Sequence, residues 1–398
     1  MSGRDVRAAL LAVPVPDELE AQRRAWRVVS AAHAGREPLP RRARGLRPLV
    51  ALAVLAAVVA AALSPPGRAV GDWIRDRVAG EENAEPALVR LPAAGRLLVV
   101  SERGPWIVRR DGSKRFLGNY EDASFSPSGS FVVVTGGRRV VAVEPDGDPR
   151  WTVTRPAPVA DARWAPSGFR VAYRAGDTLR VVVADGEGDR LLADAVAPVP
   201  PAWRPGAARN VLAYAEADGR VRVVDVDTRA QLFRTPRARS LRRLLWTADG
   251  LLVVLTGTEL RLHGRRGGLL EGATIRAEPG HELLDAAVVG GGDVVYADFQ
   301  AEARQTALVR ASCFGDGPCR RIGPRRVFEG AGHLQDLVFS PDGRWLLAGW
   351  PEADQLLFLR SPGVQKVVAV DDVRREFDPG RPPSGPFPRL AGWCCSER

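Results

Sequence analysis

The pattern of apolar and polar positions divides the chain into three regimes. From Leu49 to Leu63 every residue is Leu, Val or Ala, with Arg47-Pro48 before the run and Ser64-Pro65-Pro66-Gly67 after it. No polar side chain interrupts it, which is the composition a helix needs when hydrocarbon surrounds it. The pattern therefore predicts a membrane span over 48–64, carried by residues such as Leu49, Leu52, Leu55, Val58, Val59 and Leu63. At roughly 1.5 Å per residue such a run reaches about 22 Å, short of a hydrocarbon core of roughly 30 Å. Arg44 and Arg47 are placed to snorkel and make up the difference. The alternatives are a cleaved signal peptide, with Ala60-Ala61-Ala62 as the cleavage rule, and a buried core helix. A cleaved signal seldom has 47 residues in front of it, and a core helix normally has a polar face, so a retained signal anchor is expected.

On both sides of this run the spacing is helical. Asp17, Glu18 and Glu20 open a stretch, Pro16 to Ala32, in which Trp26, Val28, Val29 and Ala32 recur at helical steps. Acids in a first turn suit the helix dipole. Residues 34–47 read as a linker. Beyond the run, Val70, Trp73, Ile74 and Val78 predict a short amphipathic helix with Trp73 at the headgroup level, followed by a polar connector from Glu81 to Pro86.

From Ala87 onward the period changes to short β runs. One phrase recurs: Phe125-Ser126-Pro127-Ser128-Gly129, Trp164-Ala165-Pro166-Ser167-Gly168, Trp203-Arg204-Pro205-Gly206, Trp246-Thr247-Ala248-Asp249-Gly250 and Phe339-Ser340-Pro341-Asp342-Gly343. Each is an apolar anchor closing a strand, then a Pro/Gly turn, then two β-rich runs such as Phe131 to Thr135 and Val140 to Val143. The anchors Phe125, Trp164, Trp203 and Trp246 step by 39, 39 and 43 residues. Four short strands per period of about 40 residues is the signature of a β-propeller blade. Weaker copies at Leu91 to Gly95 and near Ala287 bring the count to seven blades, with six as the alternative. A ring needs its ends to meet, and the tail from Leu390 to Cys395 is available as the latch.

The Trp/Phe-Ser/Ala-Pro-Ser/Asp-Gly phrase resembles the repeat of WD-repeat-like propellers of the TolB type. With the basic arm and the single span, the whole resembles actinobacterial membrane-anchored propeller proteins. The likeness covers most of 87–370, without the His and Trp-Asp signature of WD repeats, and implies an all-β propeller. It says little of function, because its residues belong to turns and core. The organisation expected is a basic cytoplasmic arm (1–47), the span (48–64), a juxtamembrane helix and linker (65–86), the propeller (87–370) and a Pro-rich closing tail (371–398).

Charge fixes the orientation. Ten arginines against five acids precede Pro48, whereas Arg68, Arg75 and Arg77 beyond the span are interleaved with Asp72 and Asp76. The positive-inside rule then places the N-terminus in the cytoplasm and the propeller outside it. The net charge of +10 does not indicate nucleic acid, because residues 78–398 are nearly balanced at 44 basic and 40 acidic residues, with no basic element edged by aromatics. All four cysteines follow the span, where disulfides are permissible. Of the three pairings of Cys313, Cys319, Cys394 and Cys395, the turn composition Gly315-Asp316-Gly317-Pro318 favours Cys313 with Cys319.

Candidate chemistry changes the picture little. Asp111-Gly112, Asp146-Gly147-Asp148 and Asp185-Gly186-Glu187-Gly188-Asp189 suggest calcium, but all occupy the turn between third and fourth strands, where Asp-Gly is turn chemistry. Ser126, Ser128, Ser167 and Ser340 recur from repeat to repeat as architecture, and His33, His263, His281 and His333 stand singly. No nucleophile elbow or phosphate-cradling loop is present in the sequence. No catalytic residue, metal or cofactor is expected. Specificity is expected where copies differ, as in a loop from Gln300 to Arg321, whose Arg310, Phe314, Arg320 and Arg321 suit an acidic partner.

The expected protein is a monomeric, membrane-anchored, extracytoplasmic, non-enzymatic module that binds a protein, peptide or glycan at the cell envelope. A propeller hydrolase or lyase, and a regulator whose arm binds a transcription factor, are the alternatives. Protease added outside intact cells is expected to digest the large domain; its survival until the membrane is opened would reverse the topology.

Overall fold

A computed structural model of the chain describes residues 90–395 apart from 207–208, 290–292, 313–319, 322–325, 361–365 and 380–384. The arm, the expected span and the juxtamembrane segment lie outside the described residues. Among the described residues no helix is long and apolar enough to cross a membrane.

Seven antiparallel sheets follow one another along the chain. Blade 1 contains β1 (Arg96–Ser101), β2 (Gly104–Val108) and β3 (Lys114–Phe116); blade 2 contains β4 (Asp122–Phe125), β5 (Val132–Gly136), β6 (Arg139–Val143) and β7 (Pro149–Thr154). Blade 3 is β8 (Val159–Trp164), β9 (Arg170–Ala175), β10 (Thr178–Val183) and β11 (Arg190–Ala193); blade 4 is β12 (Ala202–Trp203), β13 (Val211–Ala215), β14 (Val221–Asp225) and β15 (Gln231–Arg234). Blade 5 is β16 (Leu241–Trp246), β17 (Leu252–Thr256), β18 (Glu259–His263) and β19 (Leu269–Arg276). Blade 6 is β20 (His281–Val288), β21 (Asp293–Gln300) and β22 (Gln305–Ser312), whose outer edge is shared by β23 (Arg320–Arg321) and β24 (Phe328–Ala331). Blade 7 is β25 (Gln335–Phe339), β26 (Trp345–Trp350), β27 (Gln355–Arg360) and β28 (Val367–Val370). The last strand, β29 (Arg389–Cys394), returns to pair antiparallel with β1 and becomes the inner strand of blade 1. The blades therefore number seven, and the six-blade alternative falls.

The middle strands explain themselves. Runs such as Val132 to Thr135 and Leu252 to Leu255 are buried on both faces because each blade is sandwiched between two neighbours. Seven apolar cores result, one in each gap between adjacent blades. β12 is only two residues long because Pro200 and Pro201 precede it and have no N–H to give a ladder.

The repeated phrase closes the inner strand of a blade and turns the chain into the next strand. Phe125, Trp164, Trp203, Trp246 and Phe339 each end an inner strand and stand opposite Val132, Val171, Leu212, Leu252 and Leu346, early in the next strand. In the turn that follows, the Ser126 and Ser340 hydroxyls accept the N–H groups of Phe131 and Trp345, both at 3.0 Å, and Thr247 does the same for Leu251. Gly343 closes its turn at φ +67°, a conformation that disfavours any side chain. In blade 6 the anchor place falls on Val288, opposite Val294. Leu91 is not the anchor of the first repeat: Trp393, opposite Leu97 and 7% exposed, fills that place from the far end of the chain. Trp203 and Trp246 also tie blades together, their indole N–H groups donating to Arg163 O (2.8 Å) and Ala202 O (3.0 Å) of the preceding blade.

A short helix, α1 (Val373–Phe377), braces the closure. Val373 and Phe377 are fully buried in the core between blades 7 and 1. At its end Asp378 accepts from Ser101 Oγ (2.9 Å), Glu102 N (3.2 Å) and Arg103 N (3.1 Å), holding the β1–β2 turn. Asp378→Ala leaves the buried Ser101 hydroxyl and two turn amides without this acceptor and is expected to cost about 1–3 kcal/mol in urea unfolding; a change below about 0.5 kcal/mol, the level of an ordinary surface site, would remove the clamp from the account.

Candidate functional site

Among the described residues, chemically capable side chains gather on the inner strands and on one face of blade 6.

Three residues before the anchor, four repeats carry aspartate: Asp122, Asp161, Asp285 and Asp336. Arg163 donates to Asp122 at 2.8 Å and Arg389 of β29 also pairs with it. Burial works against the Asp122 charge, but the two guanidinium groups outweigh it and hold this carboxyl below the usual carboxylate range. Arg174 pairs with Asp161 at 3.0 Å, and Arg243 of blade 5 with Asp285 of blade 6 at 2.5 Å. Asp285 Oδ2 accepts from Leu337 N at 2.7 Å, and Asp336 Oδ2 from Leu390 N at 3.1 Å, so each carboxylate clasps the backbone of the next blade. β-Bulges make this possible: Asp161 and Asp336 sit at bulges with φ +58° and +54°, which turn the side chain away from the regular pleat. Aspartate tolerates that conformation better than most residues. The ring of aspartates was not among the expected sites, although Asp recurring three before the anchor is visible in the sequence.

The second place arises because blade 6 breaks the pattern. β20, β21 and β22 have eight residues each, against five in β17 and β18 of blade 5. Blade 5 ends at the turn Gly257-Thr258, where Gly257 O accepts from Leu283 N at 2.8 Å. His281, Gln300 and Gln305 lie beyond that contact. Cross-strand pairing puts His281 opposite Gln300, Gln300 opposite Gln305, Asp298 opposite Ala307 and Ala307 opposite Glu329, so all share one face. With Glu278, Val309 and Arg326 they line a pocket of about 210 Å³. His281 Nδ1 is 3.0 Å from Asp298 Oδ1, both side chains being mostly buried. Arg326 Nη1 donates to both oxygens of Glu329 at 2.7 Å.

Most of the expected sites fall elsewhere. Leu49, Leu52, Leu55, Val58, Val59 and Leu63, and the pair Cys313 and Cys319, lie outside the described residues. Cys394 and Cys395 bring their sulfurs side by side at the end of β29, against Ser126 O and Pro127 O of blade 2. The segment from Gln300 to Arg321 is not one loop. Gln305–Ser312 forms β22, and Arg310 lies within that strand, paired with Asp293. The acidic turns work locally: Asp111, Asp146 and Asp185 accept the N–H groups of Ser113 (3.0 Å), Asp148 (3.2 Å) and Glu187 (2.9 Å) two residues on. Of the histidines read as solitary, His281 has Asp298 beside it and His333 has Glu352 at 2.6 Å. The register of β20 on β21 creates the first contact, whereas the second joins the segment between β24 and β25 to the turn between β26 and β27.

The fold defines a class, the seven-bladed β-propeller. It is similar to Hsv2p of Kluyveromyces lactis, with 11% identity over 67% of this chain and 89% of that one and a TM-score of 0.50. It is also similar to the Cps50 (Swd1) β-propeller domain of Myceliophteria thermophila (12% identity, 63% and 86% of the two chains, TM-score 0.47). A third likeness is to hydrazine synthase of Kuenenia stuttgartiensis (13%, 60% and 76%, TM-score 0.46). At such identities the likeness is one of fold. No protein-family model matches the chain, and no curated protein matches it in sequence.

The axial ring gives a pH-dependent expectation. Burial, reinforced by the Asp285 carboxylate, pushes the Asp336 carboxyl up to about 6. An unfolded aspartate titrates near 3.9, so the folded form holds its proton to higher pH, and stability present below about pH 4 is lost as pH rises through about 6. Discounted for water in the half-open ring, the loss is about 1–2 kcal/mol. Asp336→Asn keeps an acceptor for Leu390 N without the charge. It is expected to stabilise the protein by that amount at about pH 8 and to have no effect at about pH 4; equal gains at both pH values would reject the assignment.

Proposed function

We propose that this chain is a membrane-anchored propeller that binds a protein, peptide or glycan partner on the extracytoplasmic side of the cell envelope. The observation that carries the binding reading is the break in blade 6. Six blades repeat one plan, and the one that departs from it overhangs its neighbour with a polar pocket. A closed propeller offers a rigid ring on which such a departure can be displayed without disturbing the cores, and propellers commonly serve as protein-binding modules.

The anchoring part rests on the sequence. The uninterrupted apolar run from Leu49 to Leu63 and the excess of arginine before it support a single span with the N-terminus in the cytoplasm. The TolB-type kinship rests on the five anchor phrases. An extracytoplasmic setting also suits the vicinal Cys394 and Cys395.

The test is crosslinking in intact cells with a tag placed after Arg398, followed by mass spectrometry of what is captured. One stoichiometric envelope or secreted component, lost when residues 278–329 are replaced by the shorter β20–β21 and β22 equivalents of blade 5, is expected. Capture of only cytoplasmic proteins would overturn the topology, and capture unaffected by the blade 6 exchange would move the binding surface elsewhere.

A further inference from the structure

We propose that the blade 6 pocket holds a neutral, hydroxyl-rich ligand the size of one sugar ring, the terminal or exposed unit of a glycan. The proposal rests on the binding reading above and names the ligand class for its pocket.

The donor and acceptor inventory decides the class. Around about 210 Å³, Glu278, Asp298 and Glu329 offer carboxylate oxygens, Arg326 offers N–H donors, Gln300 and Gln305 offer both, and His281 completes the wall. A carboxylate can only accept and a guanidinium can only donate, whereas a hydroxyl does either. A cationic ligand would use the acceptors and meet Arg326 as a like charge. An anionic one would use Arg326 and meet three carboxylates. A polyol satisfies both kinds at once, and planar carboxylate, guanidinium and carboxamide groups each present paired atoms that suit vicinal hydroxyls.

The setting is consistent with this. Asp298 is held by the mostly buried His281 at 3.0 Å, so this carboxylate is oriented before a ligand arrives, and Glu329 lies beside Arg326 at 2.7 Å on the exposed rim. Ala307 and Val309, both buried, give the floor a small apolar patch against which ring C–H groups can lie. The wall stands on three paired strands, β20 to β22, with the ladder running unbroken from Asp293↔Ser312 to Gln300↔Gln305, so the side chains spring from a fixed sheet. A cavity of about 210 Å³ is of the size that admits a single sugar ring.

The experiment titrates the full-length chain with glucose, galactose, mannose and N-acetylglucosamine, each alone, by ligand-observed NMR, with lysine and citrate as charged probes. At least one sugar is expected to saturate with millimolar affinity, and both Gln300→Leu and Asp298→Asn are expected to weaken it at least tenfold. Glu302→Gln, in the exposed β21–β22 turn, should leave it unchanged. Thermal unfolding reports whether a variant is folded; should Asp298→Asn lose stability with its His281 contact, Gln300→Leu decides alone. No saturation by any of the four sugars at tens of millimolar, saturation indifferent to both variants, or saturation by lysine or citrate in their place would overturn the proposal. Partner capture in intact cells by the Gln300→Leu protein separates the two readings. Capture that persists while no sugar binds leaves the binding module standing and removes the sugar.

Discussion

Everything in this ring depends on the pairing of β29 with β1. The partners Leu97 and Trp393 are almost three hundred residues apart in sequence, so the chain must order nearly the whole propeller before this ladder can form. Until it does, β1 presents an open edge, and the core between blades 7 and 1 lacks the Leu390 and Trp393 side chains of β29. The contacts that gather there are accordingly varied. A backbone ladder, the Asp336 clasp on Leu390 N and the Asp378 clamp beside α1 act on this junction, and the Asp122–Arg389 ion pair ties β29 onward to blade 2. The other six junctions join neighbours in sequence and rely chiefly on apolar cores.

The charges on the inner strands belong to the same constraint. Seven sheets converging on an axis bring their inner strands together where side chains have little room and water is restricted. Alternating Asp and Arg from different blades satisfies that space, as in Asp122 with Arg163 and Arg243 with Asp285. The result is a set of links across blade boundaries, each worth little if exposed to bulk water and more where the ring shields it. Burial and the nearby Asp285 carboxylate both work against the Asp336 charge, and its hydrogen-bond donor is a neutral backbone amide.

Blade 6 stands apart. Its strands run past the end of blade 5, and its outer edge is divided between β23 and β24. A repeat protein tolerates such a change because neighbouring blades contact mainly through their inner strands, leaving outer edges and strand ends free to vary. The same region held the sequence-based expectation of specificity, but for a different reason: the expectation named the basic and aromatic residues of a loop, whereas the sheet gathers His281, Asp298, Gln300 and Gln305 from positions as many as 24 residues apart.

The sequence by itself determined the blade. Five anchor phrases, the spacing near 40 residues and paired β runs specify turns and strands whose contacts are local, and local contacts leave a period that can be read. Tertiary structure decided the rest. Trp393 takes the anchor place of blade 1, which Leu91 had held by proximity alone, because the vacancy is filled from the other end of the chain. Asp122, Arg163 and Arg389 become one cluster only when three blades converge, and His281 meets Asp298 only through the register of β20 on β21. Periodicity records which residues are neighbours along a strand; which strands become neighbours across the ring is set by closure, and that leaves no local trace in the sequence.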